Sequence, residues 1–254
     1  MMTPSKTGKV LLTRPEPDND SLKTLLTNQG FDVRELPLLQ IEQLPESPEI
    51  RTLAMNIDQF QEVICTSKHA ANWLMQLLDT YWPQIPVGIR WYAMGSGSAT
   101  PLIEYGLEVS LPVTGNTSED MLQRPELQNL DQHKVLLVKG EGGRDTLAQG
   151  LTERGASVDT LELYRRTQAE YPHETLKAVF GQWQPDQIVV LSGEALDSLW
   201  SLCRKIGYAL KSTRCIVPSQ RVADKAKALN LNVAVAASLH DESLADMINA
   251  SLNQ

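Results

Sequence analysis

Short apolar runs alternate with longer amphipathic stretches along most of the chain. Runs at 9–14 (KVLLTR), 63–67 (VICTS), 134–139 (KVLLVK) and 188–192 (IVVLS) are rich in Val, Ile and Leu, with little alternation of polar residues. Such runs are typical of strands that are buried on both faces, as in parallel sheets. Because a stretch with helical spacing of apolar residues follows each run, the pattern predicts β-α units with right-handed crossovers.

The predicted elements occur twice, at a spacing of about 125 residues. The runs at 9–14 and 134–139 match each other, and the helices that follow them end near Gly30 and Gly155. Three further matches have the same spacing: 63–67 with 188–192, 95–96 with 218–219, and 118–122 with 241–244. A constant spacing indicates an internal duplication. We therefore predict an α/β protein with two doubly wound parallel-sheet domains.

Local signals predict where several helices begin and end. Asp18 or Asp20 is a candidate N-cap of the first helix, and Gly30 provides the left-handed residue that ends it. Thr117 followed by Asp120 is a variant of the capping box, in which two residues satisfy each other's backbone amides.

Two extended segments interrupt the β-α pattern at equivalent positions of the two repeats. They cover 35–42 (ELPLLQIE) and 160–168 (TLELYRRTQ). We interpret them as strands in which the chain crosses between domains. Domain boundaries would then fall inside the repeats, and the sequence leaves open whether the first β-α-β unit packs with the C-terminal half.

Composition and charge narrow the class of protein. The 254 residues include 23 Lys and Arg against 31 Asp and Glu, a net charge of −8, which argues against non-specific binding to nucleic acid or anionic membranes. Cys65, Cys203 and Cys215 form no CxxC pair, so a disulfide framework is not expected. Residues 1–9 lack the apolar run of a signal peptide, and no stretch approaches the ~18 apolar residues of a membrane span. We expect a cytoplasmic protein.

Candidate ligand contacts lie in the turns that follow the predicted strands, since open parallel sheets bind ligands beyond their carboxyl ends. These turns carry hydroxyl residues, glycines and cations, and they cover 13–15, 66–68, 95–98, 139–144, 192–193 and 218–221. Helix-start amides together with Arg14, Lys139, Arg144 and Arg221 suit a ligand with carboxylates or phosphates. In any single turn, Ser and Thr are more simply N-caps and Arg a solvated side chain. Six such turns at one edge of two domains favour a shared cleft.

Common catalytic signatures are absent. The chain contains no GxGxxG, Walker A or GxSxG motif, which argues against a nicotinamide site, a P-loop and a hydrolase triad. The histidines lack metal-ligand spacing, and they are His69, His133, His173 and His240. The five tryptophans are interpreted as helix-packing or rim residues. We expect no metal and no organic cofactor.

Tyr164 is the one side chain with a distinct catalytic possibility, since it lies in the second crossing segment directly before Arg165 and Arg166. A phenol there could donate a proton, its acidity raised by the neighbouring cations. The alternative is a strand aromatic that packs at a domain edge, which residue spacing alone favours.

The ordered set of motifs resembles the uroporphyrinogen-III synthase family. The motifs are TRP at 13–15, TS at 66–67, MGSGSA at 94–99, TSEDML at 117–122, KGEGGRDTL at 139–147, LYRR at 163–166 and PSQRVA at 218–223. They span nearly the whole chain. Lys139 departs from the arginine that the family often has there, and 94–96 is a loose version of its VG turn.

The resemblance implies two α/β domains joined by a two-stranded antiparallel β linker at 35–42 and 160–168. The first domain would combine 1–37 with 169–254, and the second would cover 41–163. The implied activity is that of a cyclising hydro-lyase, which converts linear hydroxymethylbilane to uroporphyrinogen III with loss of water and inversion of ring D. The usual family mechanism passes through an azafulvene cation and a spiro intermediate, without a cofactor. A monomer is implied, with the substrate handed over by the preceding bilane-forming enzyme.

The resemblance also implies roles for individual residues. Tyr164 matches the family's linker tyrosine, which is thought to assist departure of the substrate hydroxyl. The implied substrate-binding residues are Arg14, Thr66, Ser67, Gly95, Ser96, Lys139, Gly140, Ser192, Gly193, Pro218 and Ser219.

Two other classes of function stay open at this point. A non-catalytic two-domain cytosolic binding protein for a carboxylated ligand would use the same fold and cleft. A nucleotide-dependent transferase would need saturable binding of NAD or ATP, which we do not expect.

Overall fold

The chain forms two compact units. The structure is a computed structural model that describes residues 8–15, 18–143, 145–210 and 212–250. Unit one contains the chain up to residue 40 together with the chain from residue 167 onward, and unit two contains residues 41–166. Unit one is therefore discontinuous in sequence, whereas unit two is a single stretch of chain.

Strands and helices alternate through both units. The strands are β1 (Lys9–Leu12), β2 (Asp32–Glu35), β3 (Leu39–Gln43), β4 (Glu62–Cys65), β5 (Arg90–Ala93), β6 (Val109–Ser110), β7 (Lys134–Gly140), β8 (Ser157–Gln168), β9 (Gln187–Val189), β10 (Arg214–Val217) and β11 (Asn232–Val235). The helices are α1 (Asp20–Asn28), α2 (Pro48–Met55), α3 (Lys68–Tyr81), α4 (Ser96–Glu104), α5 (Ser118–Met121), α6 (Thr146–Thr152), α7 (His173–Leu176), α8 (Gly193–Lys205), α9 (Gln220–Ala228) and α10 (Asp241–Ala250). Short 3₁₀ turns cover Ile57–Gln59 and Pro125–Leu127, and a π-helix covers Lys177–Trp183.

Each unit is built on one sheet. The sheet of unit one has the order β11-β10-β9-β1-β2, with every described pair parallel. The sheet of unit two has the order β3-β8-β7-β4-β5-β6, and its pairs from β8 to β6 are parallel. The amide of Leu44 donates to Leu163 O (2.9 Å) and that of Ala169 to Leu38 O (3.1 Å), which makes β3 antiparallel to β8.

The two sheets share one strand order. Read from one edge, unit one is β2-β1-β9-β10-β11, and unit two is β8-β7-β4-β5-β6 with β3 added beside β8. Strands that correspond in the sequence repeat therefore occupy corresponding places. Helix ends correspond too: Gly30 (φ +89°) matches Gly155 (+94°), and Gly106 (+78°) matches Asn230 (+58°). Each sheet combines the first β-α-β unit of one repeat with the remaining strands of the other.

The apolar runs are continuous because both faces of each sheet are buried. In unit one, Leu11 belongs to a buried cluster on one face, and Val10 and Leu12 belong to a cluster on the other. In unit two, Leu136 and Leu137 divide in the same way between two clusters. Complete burial of such a side chain stabilises the fold by about 1.5–3 kcal/mol. The absence of alternation in the sequence is thus explained by helices packed on both sides.

Helix caps agree with the sequence in part. Thr117 and Asp120 form the predicted capping box at the start of α5, and the hydrogen bond from Thr117 lowers the pKa of Asp120. Gly30 follows the end of α1 with a positive φ, as predicted. The proposed cap at Asp18 or Asp20 is wrong, because Asn19 holds the N-cap position and its side-chain amide donates instead to Arg14 O (2.9 Å).

The described part of the chain lacks membrane-spanning helices and metal-binding clusters. No helix there has the length and apolar character needed to cross a bilayer. Among the same residues, no group of three or more His, Cys, Asp or Glu side chains is arranged to hold a metal ion.

The three cysteines are buried and unpaired, and we expect them to resist labelling in the folded protein. Burial raises the pKa of Cys65, Cys203 and Cys215 to about 12. Since a raised pKa lowers the thiolate fraction, only about 1 thiol in 10⁴ is ionised at pH 8. Titration with a chromogenic disulfide reagent should show no fast native reaction and three equivalents in guanidinium. Rapid native reaction of any thiol would contradict the burial.

Candidate active site

The predicted site residues of unit two lie at the carboxyl ends of its central strands. Thr66 and Ser67 follow β4, Gly95 and Ser96 follow β5, and Lys139 and Gly140 end β7. Since these strands are parallel, the three turns share one edge of the sheet. The Thr66 hydroxyl donates to Val138 O (3.2 Å), which ties the ends of β4 and β7 together.

Tyr164 points its hydroxyl at this edge. The side chain is buried, with 5% of its surface exposed, and its Oη lies 2.9 Å from Ser67 Oγ. Ser67 is the N-cap of α3, and its Oγ accepts the backbone amide of Ala70 (3.1 Å). The phenol predicted from the sequence is therefore hydrogen-bonded to a second predicted residue.

Gly140 provides the space for the Tyr164 ring. The register between β7 and β8 shifts between Lys139 and Gly140, which places Gly140 opposite Tyr164. A Cβ at position 140 would lie 2.5 Å from both Cε2 and Cζ of that ring. The amide of Glu141 donates to Tyr164 O (2.7 Å), so the backbone is fixed on both sides of the contact. A residue other than glycine cannot hold this position without moving the ring.

Two aromatic side chains that the sequence did not single out pack against the phenol. Trp73 lies 5.4 Å and His69 lies 5.9 Å from the Tyr164 ring, centroid to centroid, and they lie 5.6 Å from each other. Both belong to α3, four residues apart, and such residues share a helix face. Their spacing of four residues, directly after the turn at Thr66 and Ser67, was the sequence signal that could have placed them at the site.

The cation that directly follows Tyr164 in sequence is held elsewhere. Arg165 is exposed, and its Nε lies 3.0 Å from Glu42 Oε2. The expectation that the neighbouring cations act on the phenol stays a prediction, and the guanidinium of Arg165 is engaged with Glu42. The hydroxyl of Ser67 is the group that contacts Tyr164 Oη instead.

Lys139 lies in a pocket of unit two that contains carboxylates as well. Its Nζ is 3.7 Å from Asp145 Oδ1, and its side chain is 13% exposed. The pocket has a volume of about 600 Å³ and is lined by Leu44, Pro45, Ser47, Glu49, Ile50, Leu53, Lys139, Asp145, Thr160, Leu161 and Glu162. A ligand carboxylate at Lys139 would compete with Asp145. Arg144, the other predicted cation of this turn, lies outside the described residues.

The site residues of unit one also lie at the carboxyl ends of parallel strands. Arg14 follows β1, and its Nη1 is 2.8 Å from Asp241 Oδ1. Ser192 is the N-cap of α8 and accepts the amide of Ala195 (3.0 Å). The remaining predicted residues of this unit are Gly193, the first residue of α8, Pro218, which follows β10, Ser219, the N-cap of α9, and the exposed cation Arg221.

Ser219 and Gly95 leave helix starts open. Each holds the N-cap position of a nine-residue helix. Gly95 has no side chain to cap its helix, and the side chain of Ser219 makes no cap hydrogen bond in the described structure. A side chain built at Gly95 would meet nothing within 4 Å. First-turn amides without a side-chain partner are suited to bind carboxylates.

A family model described as uroporphyrinogen-III synthase HemD matches residues 20–246. The chain belongs to the uroporphyrinogen-III synthase family. A uroporphyrinogen-III synthase of Salmonella typhimurium is 31% identical over 223 residues, which cover 87% of this chain and 91% of the relative. The Escherichia coli protein of the same name is 30% identical, over 87% of this chain and 91% of its own length. The family resemblance of the motifs is confirmed.

Solved structures of uroporphyrinogen-III synthases share the fold. One from Thermus thermophilus matches with a TM-score of 0.60 and 18% identity, over 98% of this chain and 100% of that chain. One from Helicobacter pylori matches with a TM-score of 0.61 and 15% identity, over 97% and 100%. The predicted fold class is thus confirmed, and membership of a synthase family favours an enzyme over a non-catalytic binding protein.

Proposed function

We propose that this protein closes hydroxymethylbilane to uroporphyrinogen III, with loss of water and inversion of ring D, in tetrapyrrole and heme biosynthesis. The observation that carries the proposal is the Tyr164 phenol, held by Ser67 at the strand ends in a chain of this family. A buried, hydrogen-bonded phenol at the ligand-binding edge of a parallel sheet is suited to act as a proton donor.

The first step is loss of the substrate hydroxyl. The bond between the hydroxymethyl carbon and its oxygen breaks, Tyr164 Oη gives its proton to the leaving oxygen, and water departs. The electrons of the adjacent pyrrole stabilise the resulting azafulvene cation. Tyr164 is the catalytic residue of this step.

The later steps depend on orientation. Attack by the substituted carbon of ring D gives a spiro intermediate, which fragments and recloses with that ring inverted. Left alone, the bilane closes without inversion, so the protein must hold the reacting carbons in the geometry that favours spiro attack. Holding reacting groups in a near-attack arrangement can supply about 7–11 kcal/mol of a barrier.

The substrate carboxylates are proposed to bind at the strand-end turns of each unit. The open helix starts at Gly95 and Ser219 are the best-prepared of these turns, since their first-turn amides lack a side-chain cap. Arg14 and Lys139 would exchange Asp241 and Asp145 for substrate carboxylates. The other proposed contacts are Thr66, Ser67, Ser96, Gly140, Ser192, Gly193 and Pro218.

We further propose that the enzyme works as a cytoplasmic monomer without a cofactor, and that it receives the bilane from the enzyme that makes it. Rapid transfer would serve a substrate that closes spontaneously to the wrong isomer. The net charge of −8 is compatible with one polycarboxylate, because contacts at a few amides and cations are local.

The test is identification of the uroporphyrinogen isomer. Purified protein is mixed with freshly generated hydroxymethylbilane, and the products are oxidised and separated. We expect the type III isomer in excess, formed faster than the type I isomer in a parallel reaction with heat-denatured protein. Type I product alone, at the rate of the denatured control, would refute the proposed activity.

A further inference from the structure

We propose that Ser67 is a positioning residue for Tyr164. Ser67 donates its hydroxyl hydrogen to Tyr164 Oη, which leaves the phenol hydrogen available for the departing substrate hydroxyl. The same hydrogen bond then stabilises the phenolate that remains. This inference rests on the proposed function and gives Ser67 a role separate from contact with substrate.

The hydrogen bonds of Ser67 are compatible with donation from its hydroxyl to Tyr164 Oη. A serine hydroxyl has one hydrogen and two lone pairs. One lone pair of Oγ accepts the amide of Ala70 (3.1 Å), and Tyr164 Oη lies 2.9 Å away. Within the described structure, these are the hydrogen bonds that Ser67 Oγ makes. If the phenol donated to Oγ, the Ser67 hydrogen would have no acceptor among the described residues. Donation from Ser67 leaves the phenol hydrogen as the one without an acceptor among the described residues, and that hydrogen is then available to a ligand.

Both oxygen atoms are held in place by packing and backbone structure. Ser67 has an extended backbone (φ −156°, ψ 162°) and begins the 14-residue helix α3. The Tyr164 ring is bounded by Gly140 on one side and by Trp73 and His69 on others. A fixed donor and a fixed ring make the hydrogen bond available without further ordering during the reaction.

The serine of unit one that corresponds to Ser67 caps its helix without a tyrosine beside it. Ser192 corresponds to Ser67 in the repeat, with nearly the same backbone (φ −154°, ψ 163°) and the same cap hydrogen bond, to Ala195 (3.0 Å). The residue that corresponds to Tyr164 is Leu39, and the one that corresponds to Gly140 is Pro15. Unit one thus has the cap without the phenol or the glycine that makes room for it. The Ser67–Tyr164 contact is an addition to a structural cap, in unit two.

Protons balance in the proposed step. The phenol proton leaves with the substrate oxygen as water, and the phenolate accepts the Ser67 hydrogen bond. When the ring-closing carbon later releases its proton, the phenolate takes it up and the phenol is restored. Hydrogen bonds to a charged group stabilise it more than bonds to a neutral one, so the contact with Ser67 strengthens as the proton departs.

The test is a double-mutant cycle with Ser67→Ala and Tyr164→Phe, assayed for formation of the type III isomer. We expect Ser67→Ala to lower kcat about tenfold, with KM changed less than about twofold, because one charge-assisted hydrogen bond is lost. Ser67→Thr, which keeps a hydroxyl, should stay within about threefold of wild type. The double variant should be no slower than Tyr164→Phe alone.

Loss of the helix cap is controlled separately. Thr117→Ala removes a similar cap, to the amide of Asp120 (3.2 Å), at the start of α5 in the same unit. It should match Ser67→Ala in thermal destabilisation and keep the wild-type kcat. Ser67→Gly, which preserves most of the cap stability, should repeat the kinetic loss of Ser67→Ala even if the alanine variant folds poorly.

Two results would overturn the inference while the proposed function stands. One is an equal loss from Ser67→Ala in the wild-type and Tyr164→Phe backgrounds, and the other is a raised KM with an unchanged kcat. Either would leave Ser67 with only the substrate contact proposed above and no role through Tyr164. A wild-type protein that forms only the type I isomer would instead remove both the proposed function and this inference.

Discussion

Tyr164→Phe is expected to lower kcat about 100-fold while the protein stays folded. The substitution removes only the hydroxyl, so the ring keeps its packing against Trp73 and His69. A positioned general acid typically contributes 10²–10⁴-fold, and we expect the lower end because orientation supplies much of the rate. Stability should fall by about 1 kcal/mol, the usual value of one lost hydrogen bond.

The measurements are steady-state kinetics with isomer analysis, together with thermal unfolding. Tyr81→Phe is the matched control, because Tyr81 lies at the end of α3 and donates its hydroxyl to Glu46 Oε1 (2.6 Å) on the surface. That variant should keep wild-type kcat. Wild-type kinetics in Tyr164→Phe would remove the phenol from the mechanism, whatever the control shows.

Gly140→Ala is expected to lower kcat by a similar factor of about 100 and also to destabilise unit two. The new Cβ would lie 2.5 Å from two ring atoms of Tyr164, whereas carbon atoms pack at about 3.5–4.0 Å, so the ring must move by about 1 Å. A displacement of that size can cost about 10² in rate when it moves a catalytic group. Overpacking should lower the free energy of unfolding by about 1–3 kcal/mol.

A second substitution separates the loss of kcat from the loss of stability in Gly140→Ala. In a Gly140→Ala background, Tyr164→Ala removes the obstructing ring and should abolish any further stability loss from the Cβ, without recovery of kcat. Gly181→Ala is the control for the exchange itself, because a Cβ there meets nothing within 4 Å. Unchanged stability and kcat in Gly140→Ala would show that the contact with the ring is not the tight one described.

The duplication explains the strand order that the two units share, and the units differ in the residues around the corresponding serines. Both keep a serine N-cap at the end of the corresponding strand, at Ser67 and Ser192. Only unit two, within the described residues, adds a tyrosine hydroxyl to that serine and a glycine beneath the ring. A repeated β-α framework can therefore retain its helix caps while one copy acquires a buried phenol.

The sequence by itself determined the class of fold, the duplication and the family. Uninterrupted apolar runs such as 135–138 predict strands that are buried on both faces, and these residues of β7 are buried. Local signals also predicted helix ends correctly, as at Thr117 with Asp120 and at Gly30. Their hydrogen bonds and backbone angles involve only three or four neighbouring residues. The ordered motifs identified the family because seven weak matches in sequence order are jointly specific.

The residue pattern left the division of the repeat open and the family resemblance only implied it, whereas the tertiary structure decided both the division and the surroundings of Tyr164. Pairing of β1 with β9 and of β4 with β7 joins strands that are far apart in sequence, and no local pattern encodes such pairing. The contacts of Tyr164, which lies within β8, likewise join it to Ser67 after β4 and to Gly140 at the end of β7. A register shift of one residue places Gly140 under the ring, and neither composition nor periodicity reports such a shift. The sequence identified Tyr164 as a candidate. Its hydrogen bond with Ser67 and the room for its ring at Gly140 arise only when the sheet is folded.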